Sequence, residues 1–131
     1  MEDIFKFELI SPEKIIFSGE ARMVTLPSYE GDMSILKSHI PIITFLRPGI
    51  VKVQKKEGDF NDFFVQDGTV EYFNDNLVIL SASAISTKNL SKDFIDNLNK
   101  EIQERLADKN MTDHDRYILS HKLEVIKELR I

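Results

Sequence analysis

The sequence predicts a mainly β fold with an α-helical end: an N-terminal β-sandwich of about ten strands over residues 1–86 and a C-terminal antiparallel two-helix hairpin over residues 87–131. Two observations predict this division. All five glycines and all four prolines of the 131-residue chain lie between Pro12 and Gly68, and both residue types favour turns over helix interiors. After residue 90 the hydrophobic period changes from two to about 3.6 residues.

Short stretches of alternating or β-branched residues predict the strands. Phe5, Phe7 and Leu9 alternate with charged residues, as in a strand with one buried face. Further strands are predicted at residues 23–26, 42–45 and 50–53, with turn residues between them. Spacings of this kind are typical of a sandwich or a flattened barrel.

Three turn signals follow in the same part of the chain. Asp67-Gly68 lies between β-rich runs, and this pair favours the two positive-φ positions of a tight hairpin turn. Residues 74–76 (NDN) form a turn into residues 77–80, whose continuous apolar character predicts a strand buried on both faces. Residues 55–59 are expected to form the solvent-exposed tip of another hairpin.

Apolar residues at helical spacing predict the hairpin. The first stripe is Ile95, Leu98, Ile102 and Leu106, with Ser91 as its N-cap. After a break at residues 109–111, Thr112 and Asp115 resemble a capping box, with Asp in the usual Glu position. The second stripe is Leu119, Leu123, Ile126 and Leu129. Because each stripe is narrow, the hairpin must pack on another surface, and exchange between two such surfaces would make it a switch.

Composition excludes several classes of function. The chain has no cysteine, which excludes disulfides, thiolate metal sites and cysteine nucleophiles, and its three separated histidines form no zinc motif. The net charge is −5 at pH 7, whereas nucleic-acid-binding proteins normally present a basic face. No apolar run approaches the ~18 residues of a transmembrane helix, and acidic residues directly after Met1 argue against a targeting segment.

Groups that could perform catalysis are few. His39 lies near Ser38 and Asp32, but the chain has neither a G-x-S-x-G nucleophile elbow nor a phosphate-binding loop. We therefore favour a turn or interface role for His39 over a hydrolase. Glu30 and Asp32 flank Gly31 in a loop, and they suit an acid–base pair, a solvated turn or a polar contact surface for a basic partner.

Several short motifs follow one another in a specific order along the chain. They are SPE at residues 11–13, FSGEA at 17–21, Pro27, Gly31, HIP at 39–41, LRPG at 46–49 and FVQDG at 64–68. By these motifs and their spacing the chain resembles, over its whole length, the epsilon subunit of the bacterial rotary (F-type) ATP synthase. It departs from the family pattern at Ser34, at Lys37-Ser38 and at Asp67, where the family prefers Gly, Pro-Gly and Gly.

The resemblance implies a non-catalytic rotor subunit of the central stalk of a proton-translocating ATP synthase, peripheral on the cytoplasmic face of the bacterial inner membrane. Residues 1–86 would be a docking domain that couples the gamma shaft to the c ring. Residues 87–131 would be a regulatory domain that hinders ATP hydrolysis. The implied partners are the gamma subunit, the c-subunit ring and, through the hairpin, the alpha/beta catalytic head, with no nucleic acid and with membrane association only through the complex.

The resemblance also assigns residues to each contact. The loop that faces the c ring corresponds to Tyr29, Glu30, Gly31, Asp32 and Met33. The region that faces the gamma shaft corresponds to Ser11, His39, Ile42 and Ile43. The basic residues of the hairpin are the candidates for contact with acidic loops of the catalytic head. For each of them, the alternative is a solvated position on the helix surface. They are Arg105, Lys109, Arg116, Lys122, Lys127 and Arg130.

No metal and no cofactor are expected. Some relatives bind ATP through an Ile-Asp-x-x-Arg stretch, and Asn99 occupies the arginine position after Ile95-Asp96, which disfavours ATP binding here. The alternative to a rotor subunit is a free-standing β-sandwich protein-interaction module with a helical dimerisation tail. A small hydrolase built on His39 is a second alternative.

Overall fold

The computed structural model describes residues 3–129, and within them the chain forms nine strands, a short 3-10 helix and two α-helices. The strands are β1 (Phe5–Ile10), β2 (Ile15–Ser28), β3 (Gly31–Leu36), β4 (Ile42–Leu46), β5 (Gly49–Lys55), β6 (Phe60–Val65), β7 (Gly68–Phe73), β8 (Asn76–Leu80) and β9 (Ile85–Ser86). The helices are α1 (Lys92–Leu106) and α2 (Asp113–Leu129), preceded by the 3-10 helix Thr87–Asn89. The chain divides into two compact units, Met1–Thr87 and Lys88–Ile131.

The long strand β2 joins the two sides of the β unit. Its first half pairs antiparallel with β1, its second half pairs with β3 and β5, and its last residue, Ser28, is opposite Leu46 of β4. β1 pairs parallel with β8, and antiparallel pairing continues from β8 through β7 to β4. The sheet therefore forms a closed ring of paired strands in the order β1, β8, β7, β4 and β2, because β2 also pairs with β1. From β2 the pairing continues outside this ring through β5 and β6 to β9. The predicted β-sandwich is confirmed, with nine strands in the described part of the chain.

The core of the β unit fills the space that these strands enclose. Phe5, Phe7 and Leu9 are all buried, so the predicted alternation on β1 is confirmed. The Phe7 ring lies 5.6 Å from the Phe17 ring, which in turn lies 5.9 Å from the Phe63 ring. Offset and edge-on aromatic contacts of this kind stabilise a core beyond the area that they bury.

The pair Asp67-Gly68 does not close a hairpin, and that prediction is wrong. β6 pairs with β5 and β9, β7 pairs with β4 and β8, and positive φ occurs at neither residue of the pair. Gly68 is needed for space instead, because a Cβ there would lie 2.9 Å from the Leu80 carbonyl oxygen. The two-residue hairpin turn is at Asn74 and Asp75, with φ of 51° and 60°, between β7 and β8.

Strand β8 is buried on one face only, which corrects the prediction for residues 77–80. Leu77 and Ile79 are buried, whereas Leu80 remains 51 % exposed. β8 lies between β1 and β7 as one layer of the sandwich, so alternate side chains point away from the core. The hairpin tip at residues 55–59 is confirmed, but only Glu57 and Asp59 are fully exposed there. Gly58 has φ 96°, and Lys55 Nζ forms an ion pair of 3.0 Å with Asp59 Oδ2.

Both helices begin at the predicted caps. The Phe94 N–H donates to Ser91 Oγ at 3.0 Å, and the Asp115 N–H donates to Thr112 Oγ1 at 3.1 Å. The two helices contact each other. No helix within residues 3–129 is long and apolar enough to cross a membrane.

The buried stripes of the helices agree only in part with the predicted ones. In α1 the buried residues are Ile95, Leu98 and Ile102. In α2 they are Leu119, Val125 and Ile126, and the predicted Leu123 and Leu129 are half-buried. Val125 was missed because the buried sector of α2 is wider than one line of residues spaced three and four apart.

Candidate functional site

The β unit exposes an apolar surface on the sheet face that points away from its core. On β4, alternation buries Thr44 and Leu46 and leaves Ile43 76 % and Phe45 58 % exposed. The exposed large apolar residues of β7 and β8 lie on the same face: Phe73 and Leu80. The strand register connects the members, because Phe45 is opposite Thr69 and Thr69 is opposite Leu80. We call Ile43, Phe45, Phe73 and Leu80 the outer apolar face.

A groove opens between β4 and β7 beside this face. It has a volume of about 330 Å³ and is lined by Pro41, Ile42, Ile43, Glu71, Tyr72 and Phe73. Glu71 is opposite Ile43 in the strand register, and its side chain is exposed. Among the described residues, Glu71 forms no ion pair. The groove is therefore apolar apart from one carboxylate.

Asp75 anchors the loop that leads into β4. Its Oδ1 accepts hydrogen bonds from the Ser38 N–H and from the Tyr72 hydroxyl, both at 2.8 Å. The Ser38 N–H, followed by the Tyr72 hydroxyl, holds the pKa of Asp75 below its usual value. Burial, followed by the hydrogen bond to Asp75, raises the pKa of Tyr72 to about 12. His39 lies edge-on to the Tyr72 ring at 5.7 Å, and its Nδ1–H donates to the Ile40 carbonyl at 2.7 Å.

The four residues assigned to the gamma shaft differ in their surroundings. Ile43 points outward on the outer apolar face, and His39 lies half-buried against Tyr72. Ile42 packs against the core. Ser11 is buried, and its Oγ donates to the Lys14 carbonyl at 3.1 Å and accepts from the Lys14 N–H at 3.2 Å. Ile43 is therefore the one residue of these four whose side chain is large, apolar and exposed.

The tip of the β2–β3 hairpin holds the five residues assigned to the c ring: Tyr29 and Glu30 connect the two strands, and Gly31, Asp32 and Met33 begin β3. Gly31 has φ 120°, a conformation that glycine adopts without strain. Glu30 and Asp32 are exposed, whereas Met33 packs against the core. Asp32 Oδ1 lies 3.7 Å from Arg47 Nη2, a long surface ion pair. The tip of the β2–β3 hairpin therefore presents two acidic side chains to solvent.

The basic residues assigned to the catalytic head do not share one environment. Arg105, Lys109 and Lys127 are exposed, and Lys122 is half-buried. Arg116 is half-buried, and its guanidinium donates to the Leu106 and Asp108 carbonyls, each at 3.1 Å. It therefore ties α2 to the C-terminal end of α1. Arg130 lies outside the described residues.

Two kinds of ligand site can be compared with the structure. Within residues 3–129, no three His, Asp or Glu side chains lie together as metal ligands would. Asn99, at the position where ATP-binding relatives have arginine, has a buried Oδ1 that accepts no hydrogen bond from the described part of the chain. A neutral amide offers no charge to a phosphate.

Three residues of the outer apolar face were not among the predicted site residues. Phe45 could have been found, because it lies two positions after Ile43 on a predicted strand and must point the same way. Phe73 and Leu80 join the face only through the register of β7 and β8, which a single sequence does not determine.

Comparisons with known proteins give relatives along the whole chain. The family described as ATP synthase, Delta/Epsilon chain, beta-sandwich domain matches residues 4–87. The ATP synthase epsilon chain of Pelagibacter ubique is 41 % identical over 130 residues, which cover 98 % of this chain and 99 % of that protein. The ATP synthase epsilon chain of Parvibaculum lavamentivorans is 35 % identical over 134 residues, which cover 99 % and 98 %.

Solved structures share the fold at lower identity. A chain of the Euglena gracilis mitochondrial ATP synthase, in an assembly of OSCP, F1 and c-ring, superposes with a TM-score of 0.75 at 18 % identity, over 98 % of this chain and 80 % of that one. A chain of the Tetrahymena thermophila mitochondrial ATP synthase central stalk and c-ring gives 0.62 at 16 % identity, over 94 % and 93 %. These likenesses show the fold, and the sequence relatives show the family. The chain belongs to the delta/epsilon chain family of ATP synthase subunits.

Proposed function

We propose that the protein is a non-catalytic subunit of the central stalk of a proton-translocating F-type ATP synthase, in which the β unit couples the gamma shaft to the c ring. The outer apolar face is the observation that carries this proposal. Its four large apolar side chains are each more than half exposed and lie on three neighbouring strands. Several large apolar side chains exposed together on one face mark a docking site more often than single scattered ones do.

The outer apolar face would dock on the gamma shaft. Ile43 belongs both to this face and to the residues that the family resemblance assigns to the shaft. Ser11, also assigned there, follows Ile10, which is opposite Leu80 in the strand register. Ser11 and Ile42 would then act by fixing the backbone beside the contact, since their side chains are buried or packed against the core.

The acidic tip of the β2–β3 hairpin would face the polar loops of the c ring. The side chain of Asp32 is 74 % exposed despite its ion pair with Arg47. A surface ion pair of this kind contributes only about 0–1 kcal/mol, so Asp32 can exchange it for a basic or amide group of a partner. Glu30, at the tip of the same hairpin, is exposed as well.

The helical unit would act as the regulatory element that hinders ATP hydrolysis. Arg105, Lys109 and Lys127 are exposed and can meet acidic loops of the catalytic head. Arg116 is a poorer choice, because its guanidinium already binds two carbonyls at the end of α1. The proposal includes no cofactor, since Asn99 lacks the charge of the arginine in ATP-binding relatives. We place the protein at the cytoplasmic face of a bacterial inner membrane, through the complex, because the ATP synthase epsilon chains of bacteria are its relatives.

Reconstitution with catalytic heads tests the proposal. The full chain is added to heads that contain gamma but lack their own epsilon subunit, and co-sedimentation and the ATP hydrolysis rate are measured. We expect the wild-type chain to bind and to slow hydrolysis, and Phe45→Asp to abolish binding. Phe60→Asp is the matched control, because Phe60 is 53 % exposed but lies outside the outer apolar face.

The outcomes separate the proposal from its alternative. Equal binding by both variants would show that the outer apolar face is not the docking site. A wild-type chain that self-associates stably and does not bind the heads would contradict the proposal and favour a free-standing interaction module. Turnover of an ester or phosphate substrate that His39→Ala abolishes would favour a hydrolase.

A further inference from the structure

The groove between β4 and β7 combines apolar walls with a single charge. Pro41, Ile43 and Phe73 supply apolar side chains, and Glu71 supplies the carboxylate. No lysine or arginine lines the groove within the described part of the chain. Its volume of about 330 Å³ corresponds to roughly ten water molecules at ~30 Å³ each, which is room for one long side chain.

Docking would make the charge of Glu71 costly unless the partner supplies a cation. Glu71 lies between two exposed members of the outer apolar face, since it is opposite Ile43 on β4 and two residues before Phe73 on β7. A partner that covers these neighbours also removes water from the carboxylate. An unpaired charge taken out of water is strongly unfavourable, so the covering surface must pair it.

Within residues 3–129, no lysine or arginine forms an ion pair with Glu71. In the strand register Glu71 is opposite Val78, and Val78 is opposite Glu8. Lys6 lies on the same face of β1 as Glu8 and is opposite Glu20 of β2, so it is closer to these two carboxylates than to Glu71. From β4 to β1, the row of strand positions through Glu71 therefore carries acidic and apolar side chains only, and the next position is Ser18 of β2.

We propose that this groove receives a basic side chain of the partner that covers the outer apolar face, arginine by preference, and that Glu71 selects it. The proposal rests on the function proposed above, in which the gamma shaft is that partner. The apolar walls accept the methylene stem, and the charged end reaches the carboxylate. Arginine is preferred over lysine because its planar guanidinium can stack on the Phe73 ring while it binds a carboxylate through two N–H groups.

The affinity for heads that contain gamma and lack epsilon, measured over a range of salt concentrations, tests this assignment. We expect Glu71→Gln to weaken binding of the full chain at least about tenfold at low salt and to flatten the salt dependence. Glu71→Lys should weaken binding further, because it sets two like charges against each other. Glu57→Gln, in the exposed tip between β5 and β6, is the matched control and should bind as the wild type does.

A charge exchange identifies the residue of the partner. Arginines and lysines of gamma are replaced by glutamate one at a time, and the replacement that restores the binding of Glu71→Lys marks the occupant of the groove. Wild-type binding with no loss for either Glu71 variant would overturn this inference alone. Absence of wild-type binding would overturn the proposed function instead.

Discussion

Asp75 links two segments that lie far apart in the sequence, the β7–β8 turn and the loop before β4. One carboxylate oxygen accepts both the Ser38 N–H and the Tyr72 hydroxyl, and Ser38 has φ 67°. A non-glycine residue in the left-handed region costs conformational energy and persists when its surroundings fix it. The hydrogen bond from Ser38 to Asp75 supplies that fixation, in the loop that leads to Ile43 on the outer apolar face.

The hydroxyl of Tyr72 should make stability depend on alkaline pH. Its pKa is about 12 in the folded chain and 10.0 as a free side chain. The folded state therefore holds the proton more tightly, and this contribution is complete below pH 10 and is lost as the pH rises toward 12. We expect Tyr72→Phe to be less stable at neutral pH and to lose less stability over the alkaline range.

Denaturant unfolding of the full chain at neutral pH and across pH 10 to 12 measures this effect. Tyr117→Phe, on α2 and 49 % exposed, is the control for the loss of a tyrosine hydroxyl. The same alkaline loss in wild type and in Tyr72→Phe would contradict the assignment.

On the acid side, the lowered pKa of Asp75 adds stability that is lost as the pH falls below the usual aspartate value of 3.8.

Gly49 is expected to tolerate no side chain, for lack of space. A Cβ at Gly49 would lie 2.5 Å from Pro27 Cβ and 2.9 Å from Pro27 Cγ, and the proline ring cannot rotate away. Gly49→Ala should therefore lower the free energy of unfolding by about 1–3 kcal/mol. At Gly19 the nearest atom would be in the Phe17 ring at 3.5 Å, so Gly19→Ala should have little effect. Equal unfolding midpoints for the two variants would contradict this explanation.

At the scale of elements, the sequence pattern predicts features that depend on neighbouring residues. It fails for features that depend on which strands pair with each other. The period on β1 and the caps at Ser91 and Thr112 depend on neighbours in sequence, and the structure confirms them. Asp67-Gly68 has the composition of a hairpin turn, but its flanking strands pair with other strands. A turn residue limits the backbone conformations that are available at its position. Only the pairing of the sheet decides which two strands that turn connects.

The docking surface shows the same limit. The alternation on β4 predicts that Ile43 and Phe45 share a face. The continuous apolar run at residues 77–80 predicts a strand buried on both faces, which would also bury Leu80. Leu80 is exposed because β8 has its core on one side only, and that follows from the position of β8 between β1 and β7. The family resemblance assigns Ile43 to the gamma shaft, and only the sheet register shows that Phe73 and Leu80 share a face with it.

Arg116 should stabilise the helical unit rather than act as a free cation. Its guanidinium binds two carbonyls at the end of α1, where the helix dipole favours positive charge. We expect Arg116→Ala to lower the stability of the helices by about 1 kcal/mol, measured by thermal loss of helical ellipticity. Arg105→Ala, the exposed control on α1, should leave the melting curve unchanged. Identical melting curves for the two variants would contradict this role.

At the scale of the whole molecule, the two units differ in their core and in their charge. Every member of the main core cluster lies between Phe5 and Ala84. Residues 1–86 carry 8 basic and 13 acidic side chains, and residues 87–131 carry 9 of each. The β unit therefore has its own core and the whole acidic excess of the chain. The helical unit has no net charge.

Removal of residues 88–131 should leave a folded β unit that still docks. The cut must follow Ser86, because β9 pairs with β6 through Ile85 and Ser86. Since the core cluster is retained, we expect residues 1–87 to unfold in a single cooperative transition and to co-sediment with heads that contain gamma and lack epsilon. ATP hydrolysis should be slowed by the full chain and not by residues 1–87, because the exposed cations of the helices are absent. Binding without any difference in hydrolysis would assign the protein to coupling alone, and loss of the cooperative transition would show that the helices complete the fold of the β unit.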